Sequence, residues 1–406
     1  MTIEPSATEP AGESGTEMPG PRNRRRWPWP VAVAIVVASA VVVAVVLFVP
    51  RDRMSAAESA RADLAAAQLV LINEPGVHVV GDIRMSDDRK SSWSLPKVDL
   101  RVTNLGDAVG TLTFGSGLVR DKAMSYLRIG DRTFLRGDHD AWMAYGMDEV
   151  SATALAGRPV LQPNSLDDAY HVDVASDLTP SALGWRLDPG LDMGLPVLTR
   201  SVVENGRRVT LMDSGGISVS VSSGHIFRVS EWTFDGDVTP MTADDVAAFY
   251  RELRPVASAL DTAVDLETEL QNDAAWSGPC APSCAAITTV TAKPHPFVGV
   301  SPDYTPPVPD IFVEYSVVFA VDGVPAEHPG CSGVTQMPGR GTTIVSCPVT
   351  GSSGSAVTAH IETRPVLGRA RADALLAAID AATAESKAKA SCRIISTRGL
   401  VTEPGC

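Results

Sequence analysis

The pattern of apolar and polar positions divides the chain into stretches of different character. Val31 to Val49 is a strongly apolar run of 19 residues, Ser39 apart, with neither charge nor proline. A helix of that length, rising 1.5 Å per residue, reaches about 28 Å, close to the hydrocarbon thickness of a bilayer. Met54 to Ile72 is rich in Ala, Leu and Glu and predicts a helix that Pro75-Gly76 ends. Beyond it the period changes to two. Val98, Leu100 and Val102 alternate with Asp99, Arg101 and Thr103, and a turn at Asn104–Asp107 leads to a strand over Gly110–Phe114. Tyr126–Ile129 and Thr133–Arg136 flank Gly130-Asp131, a hairpin signal. Ile217, Val219 and Val221 alternate with Ser218, Ser220 and Ser222, and Ile226–Phe234 reads as one further strand. One apolar face per strand predicts a sheet covered on one side, with residues 147–200 as its helical and loop cover.

Thr242-Ala-Asp-Asp245 has the form of a capping box, and Val246, Phe249, Leu253, Val256 and Leu260 recur at helical spacing. This predicts a closing or linking helix within residues 241–272, running to about Leu270 and kinked at Pro255. From Trp276 onward Cys and Pro become frequent. Strands are predicted at Ala286–Ala292, Ile311–Val321, Thr342–Cys347 and Ala356–Thr363, with a proline-rich loop over Pro302–Pro309. Together they suggest a small disulfide-stapled, β-sandwich-like domain over residues 276–406. A last Ala-rich helix, about Arg369 to Lys389, places Leu375, Leu376 and Ile379 on one side.

The flanks of the apolar run orient it. Arg22, Arg24, Arg25 and Arg26 precede it with Trp27 and Trp29 at the interface, and Arg51 and Arg53 follow. The excess of cations before the span puts the N-terminus in the cytoplasm and residues 50–406 outside, as a single-pass cell-membrane protein. Ala38-Ser39-Ala40 has the form of a cleavage site, but Val41–Val49 continues the apolar run past it, which favours an uncleaved anchor. Residues 1–30 read as a disordered cytoplasmic tail.

Composition narrows the function. Among 406 residues, 34 Lys+Arg stand against 48 Asp+Glu, a net charge of −14. Residues 1–30 hold as many Glu as Arg, so the acidity belongs to residues 50–406. A chain so acidic lacks the basic face that nucleic acid requires. The six cysteines, Cys280, Cys284, Cys331, Cys347, Cys392 and Cys406, all follow the anchor, where an oxidising exterior favours disulfides. Six cysteines allow 15 pairings. Pairing of nearest neighbours gives 280–284, 331–347 and 392–406, the middle one stapling a Gly/Pro-rich turn. The three residues inside Cys280-Ala-Pro-Ser-Cys284 miss the two-residue redox spacing.

Two runs carry a family resemblance. Tyr126-Leu-Arg-Ile-Gly-Asp-Arg-Thr-Phe134, followed by Ala141-Trp-Met-Ala-Tyr-Gly146, is similar to a hairpin of the bacterial lipoprotein-carrier families of the LolA and LppX/LprG type. Gly106-Asp107-Ala-Val-Gly110-Thr-Leu-Thr-Phe114 resembles the strand before it. The order of elements over about residues 56–240 is similar as well. The resemblance implies, for residues 54–240, an α+β domain with a curved antiparallel half-barrel sheet plugged by helices. It also implies an apolar cavity for acyl chains. The candidate walls are Leu100, Val102, Leu112, Phe114, Leu127, Ile129, Ile217, Val219, Val221, Trp232 and Phe234. The plainer alternative is that these side chains fill a core. A transmembrane anchor and a further domain depart from those carriers and favour a tethered acceptor, sensor or scaffold.

Catalytic motifs are weak. Asp213-Ser214-Gly215-Gly216 resembles the nucleophile segment of chymotrypsin-like proteases but lacks the flanking glycine and proline, and a glycine turn explains it. Gly137-Asp138-His139-Asp140 sets a histidine between carboxylates where a polar loop is expected, and Arg136-Gly137-Asp138 is a common chance tripeptide. The pairs Asp87-Asp88, Asp167-Asp168 and Asp244-Asp245 read as loop charges and a helix N-terminus. No catalytic, cofactor or metal residue is therefore assigned. The expectation is a membrane-anchored extracytoplasmic protein that binds a lipid, an acylated molecule or an envelope protein partner, or else serves as an envelope scaffold.

Overall fold

A computed structural model describes residues 56–83, 97–116, 119–162, 174–187, 197–204, 207–214, 217–231, 234–266, 268–272, 275–279, 283–294, 311–325, 330–337, 341–350 and 356–391. The alternating segments become an antiparallel ladder. Its strands are β1 (Gly76–Ile83), β2 (Lys97–Thr103), β3 (Ala108–Ser116), β4 (Val119–Ile129), β5 (Arg132–Arg136) and β6 (Val160–Leu161), then β7 (Leu198–Glu204), β8 (Arg207–Ser214), β9 (Ile217–Ser222), β10 (His225–Ser230) and β11 (Phe234–Met241). The pairings run β7-β8-β9-β10-β11-β1-β2-β3-β4-β5-β6. Gly130, with φ of 59°, makes the tight β4–β5 turn, so Ile129 lies opposite Arg132.

One face of this ladder packs under short helices. Helix α1 (Ala56–Ile72) buries Ala60, Leu64, Ala67 and Leu71, one stripe at helical spacing. Helices α2 (His139–Tyr145) and α3 (Glu149–Leu155) are capped by Asp138 and Asp148, whose carboxylates accept backbone N–H groups of the first turn. Helix α4 (Pro180–Trp185) approaches α1 so closely that a Cβ on Gly184 would lie 2.3 Å from Ile72 Cγ1. Val77, Val79, Leu100, Val102, Leu112, Phe114, Tyr126 and Trp142 share this core.

The opposite face is covered too. Helix α5 (Ala243–Ser258) starts with the capping box read from the sequence, Thr242 and Asp245 bonding reciprocally. Helix α6 (Gly368–Ser391) packs beside it. Both lie over Leu127, Ile129 and Phe134, which with Phe249, Leu253, Leu375 and Ile379 form a second core. The one-sided cover expected from alternation is thus corrected. Residues 124–129 of β4 are apolar at both parities, Met124 and Tyr126 facing one way and Leu127 and Ile129 the other.

After α5 the chain enters β12 (Val264–Asp265), β13 (Thr268–Gln271), β14 (Ala275–Pro279), β15 (Ser283–Pro294), β16 (Ile311–Val321), β17 (Val324–Pro325), β18 (Ser332–Met337), β19 (Thr342–Thr350) and β20 (Ala356–Val366). β12 lies parallel to β6 and antiparallel to β20. β20 in turn pairs with β14 and β16, and β16 with β18. One sheet of 17 strands results, with a separate sheet of three, β13-β15-β19, sharing a third core with its far end.

The expected fold class is corrected accordingly. Strand makes up 51% of the structure, so it is sheet-dominated rather than a balanced α+β half-barrel. The disulfide-bearing part is not a separate sandwich domain, because its main sheet continues through β12 into the first. Residues Met54–Cys406 form one compact unit. The closing helix stops at Ser258, well short of Leu270, since Pro255 cannot donate in the last turn and Val264 and Leu266 then follow strand periodicity. The single strand expected over Ile226–Phe234 is two, β10 and β11. Among the described residues no helix is long and apolar enough to cross a membrane. The apolar run at 31–49 expected to span a membrane, the tail before it and the Pro302–Pro309 loop lie outside the described residues.

The junction at β12 is held by charge as well as backbone. Asp265, 1% exposed, pairs with Arg371 of α6. Replacing Asp265 with Ala should cost about 2 kcal/mol, because the partly buried Arg371 guanidinium loses this carboxylate. Urea unfolding of Asp265→Ala, Arg371→Met and the double variant checks this, with the double variant less destabilised than the sum of the singles.

Candidate functional site

The cross-strand register of β3, β4 and β5 writes two adjacent rows on the face toward α5. Val109 stands opposite Leu127, and Leu127 opposite Phe134. The next row along the same face is Thr111, Ser125 and Arg136. The first row is apolar and the second hydroxyl and guanidinium, about 7 Å further along the strands.

An open cleft of about 620 Å³ lies over these rows. Its other wall is the end of α5 and the following turn, with Val256, Ala259, Leu260 and Thr262, and residues Gly157–Pro159 close one end. Leu127, Phe134 and Leu260 are buried, whereas Val256 at the rim is 47% exposed. That volume is within the range of small-molecule sites. No carboxylate lines it.

Its two arginines differ in their commitments. Arg158 donates to Glu314 Oε2 at 2.7 Å and to the Thr262 carbonyl at 3.0 Å, so its charge is already matched. Arg136 donates through Nε to the Gly157 carbonyl at 2.8 Å. Among the described residues no carboxylate pairs with it.

A buried network sets the α5 wall. Asp107, 3% exposed, accepts the Gly130 N–H at 2.7 Å and the Tyr250 hydroxyl at 2.8 Å. Tyr250 belongs to α5, so this contact ties helix, β2–β3 turn and β4–β5 hairpin together. Burial pushes the Asp107 carboxyl above its ordinary value, partly offset by those hydrogen bonds. Burial, and then the Asp107 charge, push the Tyr250 phenol up as well.

The structure divides the residues read as one cavity wall. Leu100, Val102, Leu112, Phe114, Val219, Val221 and Phe234 belong to the core under α1–α4, with Ile217 packed against it. Leu127 and Ile129 belong to the opposite core, so the whole set cannot line a single cavity. Trp232 lies outside the described residues. The sequence reading missed Phe134, Arg136 and Val256. The apolar–polar step between Phe134 and Arg136 was visible, but its alignment with Leu127 and Ser125 depends on register.

The remaining motifs have structural roles. Asp138 caps α2, and Asp140 pairs with Lys122 at 2.7 Å. His139 lies 3.3 Å from Asp140 and 3.2 Å from Glu149, and the hydrogen bond to Asp140 raises its pKa. Among the described residues no cluster could hold a metal ion. Asp213 accepts the Ser218 hydroxyl, and the Ser214 side chain lies outside the described residues. Cys331 and Cys347 form the expected disulfide. Cys280, Cys392, Cys406 and the side chain of Cys284 lie outside the described residues. A second cleft, of about 280 Å³, is lined by Glu314, Tyr315, Ser316, Ser332, Glu362 and Arg364. Glu314 there is taken by Arg158.

No protein-family model matches the chain, and no curated protein matches it.

The Asp107 network makes a pH prediction. A carboxyl whose pKa is raised by folding contributes stability that is full below its unfolded value, 3.8, and is lost as pH rises through the folded value. The melting temperature of the native protein, relative to Asp107→Asn, should therefore rise as pH falls from neutrality toward that value. Thermal melts of both proteins across that range check it.

Proposed function

We propose that this protein is a membrane-tethered binding protein on the outer side of the cell membrane, and that its cleft holds the acyl part of a lipid or acylated molecule. The observation that carries this reading is the open cleft over Val109, Leu127 and Phe134. Burying each methylene there is worth about 0.8 kcal/mol, so a long chain gains substantially by leaving water. The half-exposed Val256 at the rim gives such a chain a second apolar wall. The resemblance of the runs Tyr126–Phe134 and Gly106–Phe114 to the lipoprotein-carrier families points to the same ligand class, here on the sheet face opposite α1–α4. The Cys331–Cys347 disulfide supports an oxidising compartment. The role proposed is binding without catalysis, with no cofactor required.

A second reading, an envelope scaffold, is favoured by the outward face of β15 and β19. Ile287, Thr289, Ile344, Ser346 and Pro348 are exposed there without a charge. On a chain of net charge −14 such a patch can seat a protein partner without electrostatic repulsion.

Organic extraction of the full chain purified from membranes, followed by mass spectrometry, tests the first reading. A stoichiometric acyl-containing molecule is expected, and Val256→Asp should reduce its occupancy by about tenfold or more. Because Val256 is at the surface, that variant should keep its stability within about 0.5 kcal/mol. No bound acyl molecule, together with one recurrent protein partner, would establish the scaffold reading instead.

A further inference from the structure

The binding reading leaves open what kind of molecule the cleft selects, and the second row of side chains answers that. We propose that the cleft is specific for a long-chain carboxylate, its hydrocarbon tail over Leu127 and Phe134 and its head on the Arg136 guanidinium. This rests on the acyl-binding reading and adds the head group to it.

Three observations lead to it. The first is polarity along the strands. The apolar row Val109, Leu127, Phe134 passes in one two-residue step to Thr111, Ser125, Arg136. A ligand lying along the strands would pass from hydrocarbon surroundings to a hydroxyl and a cation within about 7 Å. That is the gradient of an amphiphile with its polar end at Arg136.

The second is the state of the two cations. Arg158 is matched by Glu314 and the Thr262 carbonyl. Arg136 is held in place through Nε by the Gly157 carbonyl, and its terminal Nη groups have no carboxylate partner among the described residues. A guanidinium oriented through Nε presents a planar pair of donors that suits a carboxylate. The nearest carboxylate along this row among the described residues, Asp99, lies three strands from Arg136 and is taken by His78 at 2.7 Å.

The third is charge count. One uncommitted cation matches one negative charge. A phosphomonoester head, with more charge than one, would be left partly unneutralised in a chain whose net charge is −14. Without a carboxylate on the cleft wall, a monoanion meets no repulsion inside it.

The test is photolabelling of the full chain in lipid nanodiscs with a palmitic acid carrying a diazirine about five carbons from its carboxylate, the reach of that two-residue step, read by peptide mapping. Label is expected on the peptides containing Leu127–Phe134 and Val256–Leu260, and unlabelled palmitate should compete it away. Arg136→Met should lower that labelling by about tenfold and Arg136→Lys should restore most of it, with melting temperatures showing that both variants fold. The matched methyl ester should label at least tenfold less than the acid. Equal labelling by acid and ester would overturn the head-group assignment while leaving acyl binding intact. If neither labels the cleft, both the assignment and the binding reading fail. Preferential competition by a lysophosphatidate over palmitate would overturn the carboxylate in favour of a phosphate head.

Discussion

Two residues of backbone, Val264 and Asp265, hold the halves of this structure in one sheet. Val264 lies beside Val160 on one side and Val366 on the other, and its N–H donates to the Pro159 carbonyl at 2.9 Å. Leu367 N–H donates to Ala263 O at 2.9 Å on the far side. So short a strand has little hydrophobic area of its own. Its neighbours supply the rest: Asp265 pairs with Arg371 of α6, and Arg158 reaches across to Glu314 on β16. Losing the splice would free β20, and with it the start of α6 that covers Leu127 and Phe134.

The two-sided burial of β3–β5 follows from the same arrangement. Strands apolar at both parities cannot leave either face in water at acceptable cost. Helices α1–α4 cover one face; α5 follows β11 directly onto the other, and β20 brings the chain back there for α6. The buried contact of Tyr250 with Asp107 then fixes where α5 sits relative to the β4–β5 turn. The helix ends just before it would cover Ser125 and Arg136, and the cleft is the space left at that end. Position and opening of the cleft are thus consequences of where Pro255 and the turn into β12 stop the helix.

Most elements were legible in the sequence because their signals are local. The capping box at Thr242, the Gly130 turn, the alternation of Ile217–Val221 and the extent of Ile311–Val321 each depend on a few adjacent residues. What could not be read was non-local. β6 and β12 are two residues each, too short to show a period, yet their pairing joins the strands before and after α5 in one sheet. β11 contains Gly236 and Pro240, which argue against a strand, and it is held between β1 and β10 by pairing on both sides. The double face of β4 was present in the sequence as Tyr126-Leu127-Arg128-Ile129, an apolar residue on each side of the pleat. Grouping all apolar strand residues as one wall overlooked that parity. The cleft joins residues 109–136 to residues 256–262, and only the register of three strands aligns Phe134 with Leu127 and Arg136 with Ser125.

The face on which the cleft lies matters for how a ligand would enter it. The core under α1–α4 is built from large side chains, with the Tyr145 ring 5.2 Å from that of Phe114 and 5.6 Å from that of Trp142. A ligand there would have to displace that packing, at a cost of several kcal/mol for side chains of this size. On the other face Leu127 and Phe134 form the buried floor of a cleft whose exposed apolar wall is Val256, at the end of a helix. A chain lying there leaves both cores intact, so loading and release require no opening of the fold. For the ligand proposed, the free-energy difference between empty and loaded states would then be set by its own methylenes and one ion pair rather than by reorganisation of the protein.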